Sequence, residues 1–156
     1  MARQGQKAPN FDLPTDGKGN VRLSSFKGRP VVVYFYPKDS TSGCTKEAQA
    51  FTGLADAFAA AGVRVIAISP DSVASHARFR AKYDLGIDLA ADEDKKAAEA
   101  YGVWIEKSMY GRKFMGIDRS TFLIDANGRI ARVWRKVRVP GHAEEVLAAA
   151  QELAAQ

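Results

Sequence analysis

The one cysteine of the chain, Cys44, lies in the stretch PKDSTSGCTKEAQAF, where a run of turn residues gives way to a helical pattern. A thiol does nucleophilic and redox chemistry as its thiolate. The first turn of a helix favours an anion, because its backbone N–H groups are unpaired and the positive end of the dipole lies there. Cys44 falls at such a place. Thr41, three residues earlier, carries a hydroxyl that can cap the helix or face the sulfur. Pro37 sets a rigid ring beside the same point, where it either ends a strand or screens the thiol from water. The competing reading of a lone cysteine is a small buried hydrophobe with no chemistry.

Positioning these residues falls to the elements on either side. VVVYFY, residues 31–36, is a continuous β-branched and aromatic run, the pattern of a strand buried on both faces, and Pro37 closes it. Beyond the loop, Cys44, Ala48, Phe51, Ala55 and Phe58 recur at helical spacing up to Gly62. The thiol therefore stands at the carboxyl end of a buried strand, where sites in open α/β sheets gather. GVRVIAIS (62–69) and IDLAAD (87–92) read as further strands, SVASHARFRAKYDL (72–85) and EDKKAAEAYG (93–102) as helices. Near the N-terminus, Phe11–Leu13 and Val21–Leu23 flank TDGKGN as a hairpin. Later, STFLID and RIARVW flank DANG as another, and PGHAEEVLAAAQELAAQ is a final amphipathic helix. A βαβ half followed by a ββα half predicts an α/β chain of thioredoxin-like fold: a mixed central sheet flanked by helices, with an N-terminal β-hairpin. GVWIEKSMYGRKFMG is left between elements as a long loop, either a wall of the site or a partner surface.

Composition narrows the function classes. The 156 residues, 46% hydrophobic and 26% charged, suit one soluble domain spanning 1–156, and no linker or repeat divides them. One cysteine forms no internal disulfide, and neither a signal peptide nor a membrane span is present in the pattern, so a cytoplasmic protein is expected. The net charge of +5 is spread along the chain, which argues against nucleic acid as a partner. His76 and His142 lack acidic or thiol residues at metal spacing and read as surface or capping histidines, with no metal site and no cofactor expected. The basic run Arg129, Arg132, Arg135, Lys136 and Arg138 reads as a solvated sheet edge, with a docking patch for an acidic reductase as the alternative.

Pro37, Thr41 and Cys44 match the P-x-x-x-T/S-x-x-C motif of the peroxiredoxins. With YFYPKDSTSGCTKEAQAF, GVWIEK and MGIDRSTFLIDANGRI, the chain resembles the bacterioferritin-comigratory-protein, or Q type, subgroup over nearly its whole length. The resemblance implies a thiol-dependent peroxidase with Cys44 as peroxidatic nucleophile, and Thr41 and Arg119 as peroxide-binding groups. Pro37 and the backbone around Gly43 complete the implied site. Many members of the subgroup carry a resolving cysteine where this chain has Gln49, and others near the position of Arg80. Both are missing, so the chain is similar to the one-Cys variants, and an external reductant is implied: thioredoxin, glutaredoxin, glutathione or another small thiol. A monomer is expected, a dimer being the alternative. Outside this class, two readings stay open: a thioredoxin-fold chaperone or binding module, and a Cys-His acyl transferase with His76 or His142 beside Cys44.

Overall fold

The computed structural model describes residues 2–17 and 19–156. Two short strands, β1 (Asp12–Pro14) and β2 (Asn20–Arg22), pair antiparallel as the expected N-terminal hairpin, and a 3-10 turn (Leu23–Phe26) follows. The chain then enters β3 (Val31–Phe35), every residue of which is buried. After the loop come α1 (Ser42–Gly53), α2 (Ala55–Ala60), β4 (Arg64–Ser69), α3 (Val73–Tyr83), β5 (Asp88–Ala91) and α4 (Lys96–Ala100). The second half supplies β6 (Trp104–Met109), β7 (Arg112–Ile117), β8 (Ser120–Ile124), β9 (Ile130–Trp134) and α5 (His142–Ala154).

The central sheet has the order β5-β4-β3-β8-β9. β3, β4 and β5 run parallel, as strands joined by helical crossovers must, whereas β8 is antiparallel to both β3 and β9. Alternation along β3 feeds two cores. Val31, Val33 and Phe35 pack with Phe11, Leu23, Phe26 and Tyr101 on one face, and Val32, Tyr34 and Tyr36 pack with residues of α1, α2, α3 and α5 on the other. At ~25 cal/mol per Å² of apolar surface, these two layers are the main stabilising term of the fold.

Three expectations change. The helix predicted up to Gly62 divides at Leu54, whose φ of −105° and ψ of 6° leave the helical region beside Gly53. The helix of 93–102 shortens to α4, because Lys95 is left-handed (φ 61°) and the Asp92 carboxylate takes the N–H groups of Ala97 (3.1 Å) and Ala98 (2.9 Å). The supposed loop around residues 103–118 is a regular antiparallel hairpin, β6–β7, with register Trp104↔Ile117 to Met109↔Arg112. Its turn places Tyr110 (φ 52°) and Gly111 (φ 78°) in the left-handed region that type I′ hairpin turns require. A tyrosine at the first turn position hides this signal in the sequence, since Asn or Gly is the residue that announces it.

Candidate active site

β3 delivers the chain into PKDSTSG at the carboxyl end of the sheet, and α1 starts at Ser42. Thr45 makes the first helical hydrogen bond, from its N–H to the Thr41 carbonyl (2.9 Å). The N–H groups of Ser42, Gly43 and Cys44 precede it and lie open at the helix tip, where they favour negative charge. Cys44 is 2% exposed, packed with Tyr34, Ala48 and Phe51, and Ala48 and Phe51 continue its face of α1. Pro37 and Gly43 are half-buried and Thr41 is exposed.

Arg119, which connects β7 to β8, reaches this tip. One guanidinium nitrogen, Nη2, donates to Cys44 Sγ at 3.2 Å, and the other, Nη1, donates to Glu47 Oε1 at 2.6 Å. A Cβ on Gly43 would lie 3.3 Å from Nη2, so the glycine leaves the room that the guanidinium occupies. Burial works against the charge of Arg119, yet Glu47 and Cys44 outweigh it and hold the group protonated. Glu47 is 1% exposed, and burial pushes its carboxyl up to about 7, with Arg119 opposing the rise. Its Oε2 and the Tyr34 hydroxyl are buried without a hydrogen-bond partner among the described residues. Burial, then the nearby Glu47 and Cys44, keep Tyr34 a neutral phenol.

The structure thus brings Gly43, Cys44 and Arg119 together, with Thr41 at the start of α1 and Pro37 in the loop before it, and with a difference at Thr41. Its side chain makes no capping bond to α1, and its hydroxyl donates to the Lys38 carbonyl at 2.8 Å. With its hydrogen engaged, Oγ1 is left as an acceptor. Glu47 escapes the sequence reading because a glutamate in a helix is ordinarily solvated. The available signal is its spacing of three from Cys44, which sets both on one helical face.

His76, read as a surface or capping histidine, is instead fully buried on α3 behind the loop. Its Nδ1 lies 2.7 Å from Asp39 Oδ2, and its Nε2 lies 3.1 Å from the Ala90 carbonyl. Tyr36 and Ser75 donate to the same carboxylate at 2.6 and 2.8 Å. Burial would raise the Asp39 pKa, but the bonds from His76, Tyr36 and Ser75 bring it below the usual range. Asp71 extends the network by accepting from the Asp39 N–H (2.8 Å) and the Ser69 hydroxyl (2.7 Å). Folding therefore gives His76 two carboxylates, Asp39 and Asp71, that sequence spacing does not reveal. Their facing atoms are all taken up in hydrogen bonds within the protein. His142 is likewise buried, against expectation, as the first residue of α5: its Nε2 meets Thr121 Oγ1 at 2.8 Å, and Phe51 and Trp134 pack edge-on to it. Neither histidine bonds to Cys44, whose side-chain partner among the described residues is Arg119, so a Cys-His pair is not what this site holds.

The other expected substitutions are also placed. Gln49 is exposed on α1. Arg80 on α3 is bound to Asp16 and donates to the Leu85 and Ile87 carbonyls (both 2.6 Å), which fastens α3 to the N-terminal hairpin. β9 is an edge strand of the sheet, as the basic run suggests, with Arg132 paired to Glu145 and Arg135 to Asp118 at 3.3 Å each.

Comparison with known proteins places this geometry among relatives. Residues 4–133 match the AhpC/TSA family. A putative peroxiredoxin bcp of Coxiella burnetii is 50% identical over 143 residues, which is 92% of this chain and 95% of that protein. Peroxiredoxin Bcp of Bacillus subtilis is 47% identical, with 92% and 91% covered. Among solved structures, peroxiredoxin Q of Xanthomonas campestris superposes with a TM-score of 0.88 at 43% identity, covering 92% of this chain and 91% of the other. A cysteine mutant of PrxQ from Xylella fastidiosa gives 0.92 at 38%, covering 97% of each. The fold is therefore thioredoxin-like, the activity is that of a thiol-dependent peroxidase, and the chain belongs to the AhpC/TSA family of peroxiredoxins as a Bcp, or Q type, member.

Proposed function

We propose that Cys44 is the nucleophile of this peroxidase and that Arg119, Thr41, Pro37 and the Gly43 backbone form its peroxide site. The observation that carries the reading is the forked contact of Arg119, which donates to Sγ with one nitrogen while the buried Glu47 holds the other. A fixed, always-charged fork stabilises the thiolate and can follow charge as it moves to the leaving oxygen. The Cys44 thiolate attacks the terminal oxygen of the hydroperoxide in line; an S–O bond forms, the O–O bond breaks, and the departing alkoxide or hydroxide takes a proton to leave as alcohol or water. Cys44 becomes a sulfenic acid. Thr41 Oγ1, with its hydrogen turned to Lys38, accepts a hydrogen bond from the peroxide. Pro37 limits water at the sulfur.

The substrates are hydrogen peroxide and organic hydroperoxides. A bacterioferritin comigratory protein of Xanthomonas campestris, 42% identical with a TM-score of 0.88, has been studied for alkyl peroxide reduction, which supports the organic class here. Because Cys44 is the sole cysteine, the reducing thiol comes from another molecule: thioredoxin, glutaredoxin or a small thiol. The first thiol forms a mixed disulfide with Cys44 and releases water, and a second returns Cys44 to the thiol. A monomeric single domain over 1–156, working in the reducing cytoplasm that supplies such thiols, fits this cycle. Among the described residues no helix is long and apolar enough to cross a membrane.

Intact mass spectrometry tests the scheme. One equivalent of peroxide should add about 16 Da at Cys44, the adduct should persist until a thiol is added, and Cys44→Ser should consume no peroxide. Peroxide consumption by Cys44→Ser at the wild-type rate would overturn it.

A further inference from the structure

Among the described residues the β6–β7 hairpin is paired with no other strand, and it carries their exposed large hydrophobic side chains: Met109 (57% exposed), Tyr110 (99%), Phe114 (43%) and Met115 (48%). A two-stranded ribbon has two different faces, because directly opposed residues point to the same side. On one side lie Trp104 with Ile117, Glu106 with Met115, and Ser108 with Lys113. This side turns toward the protein at its base, where Ile117 is buried and Trp104 packs on the core, and its charges satisfy each other in the Lys113–Glu106 pair (3.8 Å).

The opposite face is different in kind. It presents Ile105 beside Gly116, Lys107 beside Phe114, and Met109 beside Arg112, with no acidic residue. Lys107 lays its aliphatic stem over Gly116, where an added Cβ would meet its Cδ at 3.2 Å, so the glycine lets the stem lie flat next to Phe114. Neither Lys107 nor Arg112 has a carboxylate partner among the described residues. The tip adds Tyr110, an exposed aromatic at a left-handed backbone position that Asn or Gly would occupy with less strain, so the fold gains nothing from it. Aromatic, Met and Arg side chains interleaved with cations and stripped of acids are the composition of a protein-binding face for a partner with an acidic rim. The hairpin is also joined to the site. β7 ends two residues before Arg119, and the Asp118 N–H bonds to the Val103 carbonyl at the ribbon's base (2.8 Å).

We propose that this face, Ile105, Lys107, Met109, Arg112 and Phe114 with Tyr110 at the tip, is the docking surface for a protein thiol donor with an apolar centre and an acidic rim. The inference rests on the external-thiol reading above and names the partner class of that same site. Once docked, the donor's thiolate bonds to Cys44 Sγ as the S–O bond breaks, and the departing hydroxide takes a proton from solvent to leave as water; the donor's second thiol then gives up its proton, displaces Cys44 as a thiolate and keeps the disulfide.

The test compares two reductants on the same oxidised enzyme: an acidic thioredoxin recycled by its reductase and NADPH, and dithiothreitol. Lys107→Glu with Arg112→Glu should raise the KM for thioredoxin about tenfold and reverse its salt dependence. Tyr110→Asn, which suits the turn and so does not endanger folding, should raise the same KM. Both variants should keep wild-type turnover with dithiothreitol and wild-type oxidation by peroxide, and Ser108→Glu on the other side should change neither. An unchanged thioredoxin KM in both hairpin variants overturns the docking surface, as does binding of the wild-type hairpin to anionic vesicles or to a second copy without any KM effect. If thioredoxin fails on the wild-type enzyme while dithiothreitol succeeds, the docking inference falls and the peroxidase reading stands. If dithiothreitol fails as well, it is the external-thiol reading that falls.

Discussion

Arg119 stands between a thiol and a carboxyl, and the carboxyl titrates near neutrality. Glu47 is raised from 4.5 to about 7 by burial, despite the guanidinium that opposes the rise. Between those two values the folded protein binds more protons at this residue than the unfolded chain. The associated stability is therefore complete below pH 4.5 and is lost as pH rises through about 7. Urea unfolding at pH 5 and pH 8 should show wild type losing stability over this interval and Glu47→Gln losing distinctly less. Equal pH slopes in the two proteins would show that Glu47 is not the titrating group. Tyr34 gives a second residue-scale expectation. Its hydroxyl is buried with no hydrogen-bond partner among the described residues, so Tyr34→Phe removes a polar group without breaking a bond seen there. Thermal unfolding should find it as stable as wild type or more so, by up to ~1 kcal/mol. Cys44, its motif and Arg119 were legible in the sequence through the turn-to-helix junction and the family resemblance. Glu47 and Asp39 were not, because burial converts ordinary surface types into site components and no local pattern marks that.

At the scale of elements, the loop that carries Thr41 is held from behind by α3. His76 bridges Asp39 of the loop and the Ala90 carbonyl of β5, while Ser75 adds a second bond to the same carboxylate. His76→Leu leaves Asp39 buried with fewer donors. It should cost roughly 2–4 kcal/mol in urea unfolding and slow Cys44 oxidation by peroxide through a loosened loop. A variant that loses stability but oxidises at the wild-type rate would confine His76 to the fold. Strands and helices of the βαβ half were readable because β-branched runs and 3.6-residue periodicity are strong local signals. The β6–β7 hairpin was not, since its turn begins with Tyr110 and its strands mix Lys, Met and Ser on exposed faces. Nor could helix pattern alone show the break at Leu54, where the apolar spacing runs on through α1 and α2.

For the molecule as a whole, one thiol means that oxidation cannot be stored as an internal disulfide. Gln49→Cys would place a second thiol five residues along α1, roughly 9 Å away by helix geometry, whereas a disulfide needs Cα atoms within about 7 Å. Peroxide treatment of that variant should remove two hydrogens from its mass only together with a loss of helical circular dichroism. A disulfide formed with full helicity would contradict the helical spacing of residues 44 and 49 on α1. β3 lies in both core layers and ends at the loop that leads to Cys44, which is 2% exposed. A bulky thiol reagent therefore has one target in the chain, set in the helix-side layer with Tyr34, Ala48 and Phe51. Labelling rate on the wild-type protein then measures how often the tip of α1 exposes Sγ, so the residue that meets oxidants also reports, with no engineered site, how readily a thiol-sized partner reaches it.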